Sequence, residues 1–145
     1  MRIVIANDHG AVDRKKEILE WLGSRGHEIL NLGVDIEERV DYPDKAREAV
    51  EAWRTKGYDL GILLCGTGIG ISIAANKLPG IRCALVHDSY TARMAREHND
   101  ANFLALGGRV ELTEPVGDIL QAFLGARYEG GRHAGRLEKI AALES

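Results

Sequence analysis

Short apolar runs alternate with amphipathic stretches along this chain, and the alternation predicts its secondary structure. Each run is apolar throughout or nearly so, which is typical of a strand covered on both faces of a parallel sheet. Five strands are predicted, at residues 3–6, 28–32, 61–65, 83–86 and 103–106.

Helical patterns fill the intervals between these strands. Apolar side chains recur at spacings of three and four after four of the strands, and a shorter helix at residues 69–76 follows the third strand. The inner face of the first helix carries Val12, Lys15, Ile18, Leu19 and Leu22. Strands and helices in alternation predict an α/β fold: a single doubly wound, Rossmann-like, five-stranded parallel sheet of order 2-1-3-4-5 with helices on both faces. Residues 1–145 then form one domain, whose ligand binds where the carboxyl ends of strands 1 and 3 meet.

The last segment follows a Gly130-Gly131 pair and carries two arginines. Arg132 and Arg136 are four residues apart, so a helix places both on one face. Apolar residues recur on this C-terminal helix, which predicts that it packs on a partner subunit.

Composition and charge restrict the possible partners. The formal net charge is -3, whereas general nucleic-acid binding needs a basic face. No apolar run approaches the roughly 18 residues of a membrane span, and Met1 leads directly into a strand, so neither a membrane partner nor a signal peptide is expected. Two cysteines without a paired motif favour reduced thiols and a cytoplasmic location.

The most informative segment runs from the third strand into a glycine-rich turn and a helix. Gly66, Gly68 and Gly70 let backbone N–H groups converge at the helix start, where an anion is favoured. Cys65 and Thr67 lie at that point, and the same N–H groups would stabilise a thiolate able to act as base or nucleophile. The alternative for Cys65 is a small buried apolar residue.

The turn also allows a nucleotide-binding interpretation. It lacks the Gly-Lys-Ser/Thr of a phosphate-binding P-loop, but its GxGxG spacing approaches a dinucleotide fingerprint, with Asp88 about 20 residues further on. The turn follows the third strand rather than the first, and Pro79 ends a short helix. A sugar phosphate or carboxylate therefore suits it better.

Histidine chemistry is predicted at two positions. His9 follows the first strand at the expected ligand edge. His98, with Asn99 beside it, can perform acid–base chemistry near neutral pH, or it can interact with the helix dipole as a C-terminal cap.

Arginines and metal ligands complete the candidates. Arg109, Arg132 and Arg136 can bind one phosphate through bidentate contacts if they converge. A metal set of Asp8, His9, Cys65 and His87 lacks the local paired spacing of metal sites, so no metal is predicted.

The chain resembles the ribose-5-phosphate isomerase B family, which includes galactose-6-phosphate and allose-6-phosphate isomerases. The resemblance runs nearly end to end and rests on several specific segments. They are DH at 8–9, VDYPD at 40–44, CGTGIGISIAANK at 65–77, GIR at 80–82, AREHNDAN at 95–102 and EGGRH at 129–133. The family's first loop usually reads Ser-Asp-His-Ala-Gly, whereas residues 7–11 here read Asn-Asp-His-Gly-Ala.

The resemblance implies a cofactor-independent aldose–ketose isomerase acting on ribose 5-phosphate, or on a six-carbon sugar phosphate. It implies a catalytic base at Cys65, an enediolate-stabilising Thr67 and a ring-opening His98. It further implies a homodimer, or a tetramer, with His98 and the tail arginines contributed across the interface. The implied substrate-binding residues are Asp8, His9, Tyr42, Gly66, Gly68, Gly70, Asn99, Arg109, Arg132 and Arg136.

Overall fold

The computed structural model describes residues 1–144 and contains one five-stranded parallel sheet. The strands are β1 (Arg2–Asn7), β2 (Glu28–Asn31), β3 (Leu60–Cys65), β4 (Cys83–Leu85) and β5 (Phe103–Gly107). The helices are α1 (Val12–Ser24), α2 (Tyr42–Lys56), α3 (Ile69–Asn76), α4 (Ser89–Asn99), α5 (Val116–Gly125) and α6 (Ala134–Ala142). Short 3-10 turns at His9–Ala11 and Gly131–His133 precede α1 and α6. The predicted α/β class and all five strands are confirmed.

Helices cover the sheet on both faces because strand side chains alternate between them. One apolar cluster joins Ile3, Ile5, Ile62 and Leu64 of the strands to α1, α4 and α5. The other joins Val4, Leu63, Cys65 and Phe103 to α2 and α3. Helix α2 contributes alanines and a valine to this second cluster, so it can approach the sheet closely.

The predicted strand order is wrong at one end of the sheet. The observed order is 2-1-3-5-4, with β5 between β3 and β4. All five residues of β5 are buried, as expected of a central strand, whereas β4 has three residues of which two are only partly buried. Close packing also favours β5 beside β3, because Gly61 lies opposite Phe103 and leaves room for its ring.

The predicted position of the ligand edge does not depend on this error. Strands β1 and β3 are neighbours, with Asn7 in register with Leu64, and the backbone N–H of Asp8 donates to the carbonyl of Leu64 at 3.1 Å. The loops after β1 and β3 therefore leave the sheet side by side, at the point where the strand order reverses. No helix within residues 1–144 is both long and apolar enough to cross a membrane.

Candidate active site

Cys65 ends β3 and faces the glycine turn. Its Sγ accepts a hydrogen bond from the backbone N–H of Gly68 at 3.2 Å. Gly68 has a φ of 79°, and a Cβ there would lie 2.8 Å from the carbonyl carbon of Leu106, so both conformation and space require glycine. The cysteine is 5% exposed and lies at the end of the sheet rather than at its centre. The sulfur therefore lies at the carboxyl end of β3 with a backbone donor directed at it.

Thr67 lies on the outer side of the same turn and is exposed. Its Oγ1 accepts a hydrogen bond from the N–H of Ile69 at 3.2 Å. Since that contact uses only an oxygen lone pair, the hydroxyl proton remains available as a donor. A donor two residues from Cys65 can stabilise an oxygen that gains charge beside the sulfur.

Asp8 and His9 reach this edge from β1. Asp8 is buried, and its Oδ1 accepts from the N–H of Gly10 at 2.8 Å. The Nδ1 of His9 accepts from the N–H of Val40 at 3.3 Å, so the neutral imidazole carries its proton on Nε2. The second nitrogen of His9 is then a donor suited to an anionic ligand.

Arg109 and Tyr42 lie against the glycines of the turn. The N–H of Arg109 donates to the carbonyl of Gly66 at 2.9 Å, and a Cβ on Gly66 would be 3.5 Å from the guanidinium Nη1. A Cβ on Gly70 would lie 2.6 Å from the ring of Tyr42. The structure thus brings together nine of the predicted residues: Asp8, His9, Tyr42, Cys65, Gly66, Thr67, Gly68, Gly70 and Arg109.

The other four predicted residues lie at the opposite edge of the sheet. His98 and Asn99 end α4, immediately before the amino end of β5, whereas Cys65 is paired with Gly107 at its carboxyl end. Arg132 and Arg136 are exposed on the tail beside them. Strand β5 has five residues, so its amino and carboxyl ends are roughly 15 Å apart. Within one chain, these four residues therefore lie apart from Cys65.

A cavity of about 550 Å³ lies elsewhere, between α6, β4 and the end of α3. Its walls include Cys83, Asn99, Ile140 and Leu143, but not Cys65. Burial raises the pKa of Cys83 to about 12, so this thiol stays protonated and is unsuited to act as a base. This cavity is therefore separate from the group of residues around Cys65.

The sequence profile of a family described as Ribose/Galactose Isomerase matches residues 3–140. The chain belongs to this family. It is 46% identical to ribose-5-phosphate isomerase B of Escherichia coli K12, over 99% of this chain and 96% of that protein.

Two further comparisons agree with the family assignment. The fold matches the structure of ribose-5-phosphate isomerase B from Clostridium thermocellum with a TM-score of 0.95 and 51% identity, over 99% of this chain and 97% of that one. The chain is also 41% identical to D-erythrulose-4-phosphate isomerase of Pectobacterium atrosepticum, over 99% of this chain and 95% of that protein. The resemblance noted from sequence is thus confirmed, and the protein is an isomerase of this family.

Two residues that support the site of this isomerase were not predicted as such. Asn7 is fully buried, and its Nδ2 donates to the carbonyls of Asp8 and Val34. Lys15, which the helical pattern assigns to the inner face of α1, is 1% exposed and donates to the Val34 carbonyl at 2.6 Å. A lysine within an apolar stripe was the available signal, since a buried ammonium group requires polar partners.

Proposed function

We propose that this protein interconverts ribose 5-phosphate and ribulose 5-phosphate through an enediolate, with Cys65 as the base. The observation that carries the proposal is the hydrogen bond from the Gly68 N–H to Cys65 Sγ, in a chain whose relatives include ribose-5-phosphate isomerases B. The thiolate would take the proton from C2 of the open-chain aldose and return it to C1. A second proton moves from the hydroxyl oxygen on C2 to the oxygen on C1. The sugar is therefore isomerised with no net gain or loss of protons.

The remaining residues of the site bind and stabilise. The Thr67 hydroxyl and the N–H groups of the turn would donate to the enediolate oxygen, where charge develops in the transition state. Asp8 would hold a sugar hydroxyl, and Tyr42 would line the pocket. His9 and Arg109 would bind the phosphate, since both present donors at the same edge.

We also propose that two copies of the chain share each active site. Four residues proposed for ring opening and phosphate binding lie at the other end of the sheet from Cys65 in the same chain. They are His98, Asn99, Arg132 and Arg136. Ile69 and Ile73, one turn apart on α3, are 51% and 56% exposed beside the glycine turn. Apolar side chains at such exposure support a contact with a second copy, which would bring its tail to Cys65.

The main alternative to this proposal is a sugar phosphate with a different number of carbons. The D-erythrulose-4-phosphate isomerase relative favours a four-carbon substrate, and the family description includes galactose, which favours six carbons. A nucleotide-binding module gains no support, because the Asp88 carboxylate, which would bind ribose, accepts instead from Thr91 as the cap of α4.

The experiment is a comparison of kcat/KM for ribose 5-phosphate, allose 6-phosphate, galactose 6-phosphate and D-erythrulose 4-phosphate on the purified protein. We expect the highest value for ribose 5-phosphate. A higher value for another sugar would reassign the substrate. Absence of turnover with all four, together with tight nucleotide binding by calorimetry, would overturn the proposal.

A further inference from the structure

A second cluster of reactive side chains lies where the tail meets the end of α4. It consists of His98, Glu129 and His133, whose ligand atoms all lie within 4.8 Å of one another. The backbone N–H of Glu129 donates to the carbonyl of Glu97 at 3.0 Å, which fixes the start of the tail against α4. Within residues 1–144, this is the one trio of histidine, cysteine or acidic side chains with that spacing.

His133 is the buried member of the cluster. It is 4% exposed, and its buried Nε2 makes no hydrogen bond. The same atom lies 3.5 Å from Oε2 of Glu129. In a tetrahedral site with bonds of about 2.0–2.1 Å, neighbouring ligand atoms are roughly 3.4 Å apart. This pair therefore already has the separation of two ligands of one metal ion.

His98 supplies the third ligand. Its ring stacks on that of His133 with centroids 4.3 Å apart and an angle of 19° between the planes. A ring nitrogen of His98 lies within 4.8 Å of both partner atoms, and rotation of the His98 ring out of the stack would direct its lone pair towards a shared ion. Arg132, the neighbour of His133 in the sequence, carries a positive charge. Arg132 opposes a cation here, while the Glu129 carboxylate supplies the compensating charge.

We propose that His98, Glu129 and His133 bind a divalent transition-metal ion of the zinc type, and that the bound ion inhibits isomerisation by withdrawing His98. Two imidazole nitrogens and one carboxylate oxygen favour zinc over magnesium or calcium, which prefer oxygen ligands. A water molecule would complete the tetrahedron. The inhibitory effect rests on the function proposed for His98, whereas binding does not.

Binding is tested on full-length Cys65→Ser protein, which removes the thiolate as a competing ligand. Calorimetric titration with Zn²⁺ should show one site per chain, and Co²⁺ should give the intense visible absorption of a tetrahedral complex. Glu129→Gln and His133→Gln should each weaken Zn²⁺ binding at least tenfold. The matched control is Glu138→Gln, which removes one exposed carboxylate from α6 and should leave the affinity unchanged. Equal affinities in Glu129→Gln and Glu138→Gln, a weak octahedral cobalt spectrum, or no binding would overturn the site.

Inhibition is tested with Cys65 intact. Glu129→Gln should match wild-type turnover in the presence of a chelator, which also shows that this variant folds. Added Zn²⁺ should lower turnover in the wild type and in Glu138→Gln, with at least tenfold more Zn²⁺ needed for Glu129→Gln. If Zn²⁺ binds as expected but inhibits all three equally, the link to His98 is wrong. If chelator-treated wild type has no isomerase activity, the proposed function fails while the binding result stands.

Discussion

The ammonium group of Lys15 lies 2.5 Å from Oδ1 of Asp35, although the lysine is almost completely buried and the aspartate is largely exposed. Lys15 also donates to the Val34 carbonyl and to Asn31 Oδ1. It thereby ties the connection between β2 and α2 to helix α1. This connection contains Val40, which donates to His9, and it leads directly into Tyr42.

Lys15→Met should loosen this connection while keeping an apolar stem of similar shape. We expect the free energy of unfolding to fall by about 1–3 kcal/mol, because three partly buried hydrogen bonds of the Lys15 ammonium group are lost. KM should rise more than kcat falls, since His9 and Tyr42 are the proposed substrate-binding residues, whereas Cys65 is held by β3. Urea unfolding and steady-state kinetics measure the two effects. The control is Lys16→Met on the exposed side of α1; equal effects in both variants would contradict the role of Lys15.

The Asp35 carboxyl gives the same contact a pH dependence. Hydrogen bonds from Lys15 and Asn31, and the charge of Lys15, lower the pKa of Asp35 from its ordinary value of 3.8. A lowered pKa in the folded state stabilises the protein above the unfolded value, and this contribution is lost as pH falls through the folded pKa. The stability difference between wild type and Asp35→Asn should therefore be constant near neutrality and shrink below pH 3.8. Urea titrations from about pH 6 to about pH 3 measure it; a difference that grows on acidification would contradict the assignment.

Cys65→Ala should abolish proton transfer and leave sugar-phosphate binding largely unchanged. A positioned base contributes about 10²- to 10⁴-fold to a rate, so kcat should fall by at least about 100-fold. Cys83→Ala is the matched control, because the pKa of this buried thiol is about 12 and it cannot act as a base near neutral pH. Calorimetric binding of a substrate analogue should be similar in both variants. Turnover of Cys65→Ala close to that of Cys83→Ala would reject the proposed base.

Shared active sites can be tested by mixing two inactive variants. Cys65→Ala lacks the base, and the double variant Arg132→Ala/Arg136→Ala lacks the tail arginines. If each site combines Cys65 of one copy with the tail of another, a mixed dimer has one intact site of two. Random mixing makes half of the dimers mixed, so about a quarter of wild-type activity should return after co-refolding. Activity no higher than the mean of the two variants would place each site within one chain.

Sequence patterns predicted the residues that lie around Cys65, because their positions follow from one rule of parallel sheets. Asp8, His9 and Cys65 each follow a strand end, and adjacent parallel strands bring their carboxyl ends together. The position of Arg132 relative to Cys65 does not follow from such a rule, since it depends on where the tail runs after Gly130. His98 lies in the last turn of α4, just before β5, and therefore at the amino end of the sheet. The partners of Lys15 were equally inaccessible, because they lie in an irregular connection without periodicity.

The wrong strand order has a related cause. The order of strands along the chain does not fix their order in space, and two crossovers of similar length can place β5 on either side of β4. Packing decides the choice here: Gly61 in β3 faces the Phe103 ring in β5, which is fully buried and stacks edge-on against Trp53 with centroids 5.7 Å apart. The pairing of a strand glycine with a particular aromatic ring is a three-dimensional fit that hydrophobic periodicity does not report.

Gly61→Ala tests whether this fit holds β5 in its central position. A Cβ at residue 61 would lie 2.0 Å from Cε1 of Phe103, and this buried ring also packs edge-on against Trp53. Relief requires a shift of the strand or an unfavourable rotamer, so we expect a loss of about 1–3 kcal/mol in urea unfolding. Gly23→Ala in α1 is the control, because no atom lies within 4 Å of its new Cβ and alanine favours helices. Phe103→Leu should destabilise the wild type but restore part of the stability of Gly61→Ala. If Phe103→Leu is equally costly in both backgrounds, the glycine and the ring are not coupled, and the central position of β5 must have another cause.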